Sequence, residues 1–141
     1  MHLNHREAQM SITLQEAQTM VAAAIAKAEE LDIKINVAVC DAGGRLVAFA
    51  RMDGAIWAGV YGSQGKAVAS VAFGRPSGEM QERAGSPIVT GIRSAEGDHM
   101  IASLGGVPLI RDGAPVGACG VGGGTGEEDE ECAQAAVDSV S

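Results

Sequence analysis

Apolar residues recur at three- and four-residue steps through Leu14, Ala17, Val21, Ala24, Ile25 and Ala28. That spacing draws a single stripe down a helix and predicts an amphipathic element over about Leu14–Leu31, laid on a sheet. Its start is marked by Thr13-Leu14-Gln15-Glu16, a capping box in which the hydroxyl and the carboxylate each accept from a backbone N–H. The period then changes. Ile35–Cys40 and Leu46–Met52 are short apolar runs separated by Asp41-Ala42-Gly43-Gly44-Arg45, a turn composition that supplies positive φ and predicts two antiparallel strands. Asp53-Gly54 ends the second run, and helical spacing returns from about Ile56 to Phe73 until Arg75-Pro76 stops it.

Gly59, Gly62 and Gly65 fall three apart within that second helix. Glycine there weakens the helix but lets another backbone come close, so tight packing is expected, with a ligand or subunit contact as the alternative. Residues 77–103 show no sustained period and are punctuated by Gly85, Pro87, Gly91 and Gly97. They read as loops with one or two short helices, and an irregular stretch of this length in a compact domain suggests a lid or pocket wall. Val107–Arg111 and Ala114–Val121 are strand-like again, joined by the hairpin dipeptide Asp112-Gly113. After Gly122-Gly123-Gly124-Thr125-Gly126 a last helix is expected over Glu127–Val140, with Cys132, Ala133, Ala136, Val137 and Val140 inward. Hairpins between helices imply an α+β domain whose antiparallel sheet carries helices on its faces. Residues 1–12 read as a polar leader, expected to be loosely ordered, and 13–141 as one domain.

Composition narrows the chemistry. Aromatics make up 3% of the chain, so the interior must be built from Ala, Val, Ile, Leu and Met, and a stacking cage is disfavoured. Ten basic against eighteen acidic residues give a net charge of −8, which repels nucleic acid and anionic lipid. Neither partner is expected. Cys40, Cys119 and Cys132 are an odd set without metal-ligand or disulfide spacing, so no metal site is read and a reducing, cytoplasmic setting is expected. No run approaches the length of a membrane span, and no secretion signal is read.

Six stretches, in order, resemble the GlcG/HbpS-like family, also called the haem-degrading or PduO C-terminal-like domain. They are Leu14-Gln15-Glu16-Ala17, Ala38 to Gly44, Met52-Asp53-Gly54-Ala55, Gly65-Lys66-Ala67, Gly105 to Leu109, and Val116 to Val121 continuing through Gly123-Gly124-Thr125-Gly126 to Asp129. The resemblance implies a profilin-like fold with a five-stranded antiparallel sheet between helices, a homo-oligomer, and association with haem, a related tetrapyrrole or a small metabolite. Arg45 stands where family members often carry His, Cys119 where a β-branched residue is common, and Gly122 where Ser is usual.

Three groups of residues carry candidate chemistry. The glycine run ahead of the last helix offers backbone N–H groups and the positive end of a helix to an anion, which makes Gly123, Gly124 and Thr125 ligand-binding candidates. The competing reading is a turn in which Thr125 caps the helix and Glu127 to Asp129 occupy its positive end. Arg51, Met52 and Asp53 at a strand end, with Lys66 as a neighbour in space, can position a substrate and move a proton, or simply fasten helix to sheet. Asp53, Lys66 and Asp129 are the catalytic candidates, expected around a shared hollow, and Arg51, Met52, Gly106 and His99 join the ligand-binding set. Asp41 is expected to shape its turn. Cys40 and Cys119 are expected as small buried hydrophobes. His99 is the one histidine beyond the leader, able to ligate haem or a metal or to titrate near neutrality, or to be an exposed loop residue.

These residues leave three function classes open. The first is a small-ligand-binding domain, the ligand being haem, another tetrapyrrole or a small organic acid. The second is a cofactor-independent hydrolase, hydratase or isomerase acting on a catabolic acid. The third is a structural, oligomer-forming domain without a site.

Overall fold

A computed structural model describes residues 11–141; the bulk of the expected leader, with His2 and His5, lies outside them. Helix α1 (Leu14–Glu30) opens the chain, followed by strands β1 (Asn36–Asp41) and β2 (Leu46–Arg51), helix α2 (Ala58–Phe73), a 3-10 segment (Ser77–Arg83), helix α3 (Pro87–Ala95), strands β3 (Gly106–Arg111) and β4 (Ala114–Gly122), and helix α4 (Gly126–Asp138). Ile12 is buried in the main core, so the packed domain takes in the last residue assigned to the leader.

The sheet runs β2-β1-β4-β3 with every neighbour antiparallel. Four strands are formed among the described residues, not the five implied by the family resemblance. The segments on either side that lie beside other elements make single backbone bonds rather than ladders: Ile12 N–H donates to Val116 O at 3.0 Å, and Ile101 N–H to Gly65 O at 3.0 Å. A strand needs a repeating series of such bonds.

Strand alternation sorts the sheet into two faces. Val37, Val39, Val107, Leu109, Cys119 and Val121 point to the side covered by α1 and α4 and make the main core with Ala17, Met20, Ala24, Ala28, Ala133 and Ala136. The α1 stripe is rotated from its expected centre: Met20 is fully buried, whereas Leu14 is 55% exposed. Leu14 is the first helical residue and projects past the sheet, while the capping box holds the helix start, Thr13 Oγ1 accepting from Glu16 N at 3.1 Å and Glu16 Oε1 from Thr13 N at 3.0 Å.

Cys40 and Ala118 face the opposite side, where they pack on Ala67 and Val71 of α2. Small residues set this approach. A Cβ at Gly120 would collide with Ser63 O and lie 2.6 Å from Ala67 N, and one at Gly59 would collide with the Asn36 amide. The glycine stripe thus packs tightly at Gly59 and Gly65, while Gly62 faces open space. Because α2 lies over β4, β1 and β3, the β2 margin of this face is left uncovered by it.

Candidate functional site

The uncovered margin is a cavity of about 520 Å³, within the roughly 300–1,000 Å³ of small-molecule sites. Its floor is Ala38 and Cys40 of β1, one wall is Leu46 of β2 with Gly44 and Arg45 of the turn, and the other is Tyr61, Gln64, Gly65, Ala67 and Val68 of α2. Asp98, His99 and Ile101 close the end, so part of the stretch read as irregular forms pocket wall. Gly65 makes that possible: a Cβ there would stand 2.5 Å from Ile101 Cγ1 and 2.6 Å from His99 O. Only glycine lets this segment rest on α2.

Polar chemistry gathers at the mouth. Arg45 Nη1 donates to Glu96 Oε1 at 2.7 Å, and His99 Nε2 lies 3.6 Å from the same oxygen, too far for a hydrogen bond. The Arg45 bond and charge hold the Glu96 carboxyl below its ordinary range. Burial pushes the Cys40 thiol up to about 12, so the sulfur in the floor is a neutral thiol near neutral pH. Asp41 shapes the adjoining turn, its Oδ1 accepting from Gly43 N at 2.9 Å and Arg45 N at 3.0 Å.

Lys66 and Asp129 meet elsewhere. Lys66 Nζ donates to Asp129 Oδ2 at 3.1 Å and Val121 O at 2.9 Å, and the side chains are 12% and 4% exposed. Asp129 Oδ1 accepts from Gly124 N at 2.8 Å, Glu128 Oε1 from Thr125 N at 2.9 Å, and Thr125 Oγ1 from Glu128 N at 3.2 Å. The anion at the glycine corner is therefore the chain's own Asp129, and Thr125 caps α4. Burial raises the Asp129 carboxyl above its ordinary range, opposed by the Lys66 charge and the Gly124 N–H. Gly106 N donates to Ser77 Oγ at 2.8 Å; Gly123, with φ of 131°, passes so close to Lys34 O that a Cβ would collide.

Asp53 does not join them. It follows β2 at the sheet edge and is exposed, whereas Lys66 and Asp129 meet beside β4, two strands inward. Arg51 is exposed at the end of β2, and Met52 packs on the main core with its Sδ accepting from Ile35 N at 3.4 Å. Of the sequence-derived candidates, His99 alone lines the cavity. Leu46, Tyr61, Gln64 and Val68 were not singled out in the sequence; the one signal toward them was the glycine stripe containing Gly65. Cys119 and Cys132 are buried like Cys40. No three of His, Cys, Asp and Glu converge in a metal-binding arrangement among the described residues, and among them no helix is long and apolar enough to cross a membrane.

Residues 12–138 match the family model described as haem degrading protein HbpS-like. The uncharacterized 15.0 kDa protein of the dhaT-dhaS intergenic region of Citrobacter freundii is 30% identical over 141 residues, covering 99% of both chains. Among solved structures, Klebsiella pneumoniae protein ORFY superposes with a TM-score of 0.85 at 31% identity, covering 99% of this chain and 97% of its own. A structure described as a PduOC:heme complex does so at 0.80 and 26% identity, covering 92% and 95%. A match over nearly the whole chain places this protein in the HbpS-like family of haem-degrading proteins.

Proposed function

We propose that the cavity between β1–β2 and α2 binds a haem-class tetrapyrrole, with His99 as the iron-ligating side chain. The observation that carries this is an imidazole at the mouth of an apolar slot whose Nε2 makes no hydrogen bond among the described residues. The donor set fits the group: His99 supplies an imidazole nitrogen, the Cys40 thiol is held protonated, and Ala38, Ala67 and Val68 give an apolar wall. Support from outside the chain is the haem held by the similar PduOC structure. Haem, when bound, would supply the iron chemistry; the protein's part is to hold it and to set its access to water.

The implied homo-oligomer is proposed on the same side of the molecule, where Ile56, Trp57 and Tyr61 are 64%, 68% and 69% exposed. Two of the chain's four aromatic residues thus face outward, a pattern typical of interaction surfaces. Titration with ferric haem tests the binding reading: a shifted Soret band that saturates at one equivalent is expected, with the shift lost in His99→Ala. A spectrum identical to free haem throughout, or an unaltered shift in His99→Ala, contradicts it.

A further inference from the structure

We infer that Arg45 is the carboxylate-binding residue of this slot and that Glu96 competes with the ligand for it. The inference rests on the binding reading above and specifies the ligand class as a tetrapyrrole or similar apolar body bearing a free carboxylate. Among the described residues Arg45 is the one permanently cationic side chain lining the slot. The other charged group there is Asp98, and the chain as a whole carries −8. The cation that a ligand carboxylate meets among the described residues lining the slot is therefore Arg45.

The guanidinium is well placed for exchange. Its side chain is 67% exposed, and among the described residues it has a single carboxylate partner, held through Nη1 alone, a one-bond contact that a ligand carboxylate pairing with the fork through two bonds can displace. Glu96 reaches it from the residue after α3 and does not itself line the main slot. Its carboxylate occupies the place that a ligand carboxylate would take, and its lowered pKa keeps it charged as a competitor. Occupation of the slot by an acidic ligand then exchanges one Arg–carboxylate contact for another, so neutralising Glu96 must strengthen binding. A purely mechanical clasp makes the opposite prediction, since loosening it weakens any ligand.

Dissociation constants for ferric haem and for haem dimethyl ester, which lacks free carboxylates, separate these outcomes in the full-length chain. Glu96→Gln is expected to tighten haem binding, and Arg45→Met to weaken it by about fivefold, the upper range of an exposed charged contact. Both leave the ester unchanged, and Arg45→Lys recovers only part of the discrimination because it lacks the fork. Equal weakening of haem and ester in Glu96→Gln, or no preference for haem over the ester in the wild type, overturns the inference. Failure of the wild type to bind either compound instead overturns the binding reading itself. Circular dichroism of each variant establishes that folding is intact.

Discussion

Removing Lys66 is the perturbation whose size the structure defines best. Lys66 and Asp129 form an ion pair that is nearly closed to solvent and ties α2 to the β4 carbonyl of Val121 and to the first turn of α4. Lys66→Met leaves the carboxylate buried without its cation, a change that costs about 3–5 kcal/mol in comparable sites. The Gly124 N–H bond to Asp129 survives, which places the expected cost near the low end, about 3 kcal/mol. With a urea m-value of about 2 kcal/mol/M for a domain of this size, the midpoint falls by about 1.5 M at fixed protein concentration. Burial already raises the Asp129 carboxyl, and loss of Lys66 raises it further. A carboxyl whose folded pKa exceeds its unfolded one gives stability at low pH that is lost as pH rises through the folded value. The Lys66→Met defect is therefore smaller at pH 5 than at pH 7. In Asp129→Asn combined with Lys66→Met the losses are sub-additive by about 0.5–3 kcal/mol. A midpoint shift below about 0.3 M in the single variant, or strict additivity in the cycle, would refute the argument.

Three further outcomes follow from the same reasoning. Arg111 bonds Glu16 and holds its carboxyl below the ordinary 4.5; that stability is present above 4.5 and lost as pH falls through the folded value, so Glu16→Gln flattens the acid limb of a thermal-unfolding profile, and an unaltered limb contradicts this. Asp129 has the opposite dependence and is common to both proteins, so it cancels in the comparison. Gly120→Ala drives a methyl into Ser63 O and Ala67 and is expected to cost at least 1–3 kcal/mol, roughly the range for overpacking; a melting temperature equal to wild type refutes the close approach. Cys40 and Cys132, raised by burial to about 12 and about 11, with Cys119 raised still further by the same cause, resist alkylation at pH 8 until denaturant is added, as mass spectrometry can show; rapid labelling of the folded protein contradicts their burial.

The elements were readable from the sequence because each carries a local signature. The capping box at Thr13-Glu16, the change from helical spacing to a short continuous apolar run at Ile35, and the Asp112-Gly113 hairpin all act within a few residues. Residues 77–103, read as loops with one or two short helices, hold a 3-10 segment and α3, and Ser86 caps the latter, its Oγ accepting from Val89 N at 3.4 Å ahead of Pro87. The site was less legible. Glycines 123 and 124 look like an anion cradle in one dimension, but whether a ligand or Asp129 fills it depends on how α4 turns back over β4. The cavity arises where α2 fails to cover β2, a property of helix placement on a sheet that no motif records. Asp53 and Lys66 stand thirteen positions apart, but the chain between them crosses from the sheet edge to its centre. His99 was found by residue type, since only an imidazole offers both ligation and titration near neutrality.

The central claim is that the ligand sits in the slot under α2 and not at the glycine corner. Amide chemical-shift mapping with a diamagnetic metalloporphyrin addresses it directly. The account predicts perturbations concentrated at Gly44, Arg45, Leu46, Gln64, Gly65 and His99, with Gly123, Gly124 and Thr125 unmoved; shifts centred on those last three residues, with the slot silent, would contradict it.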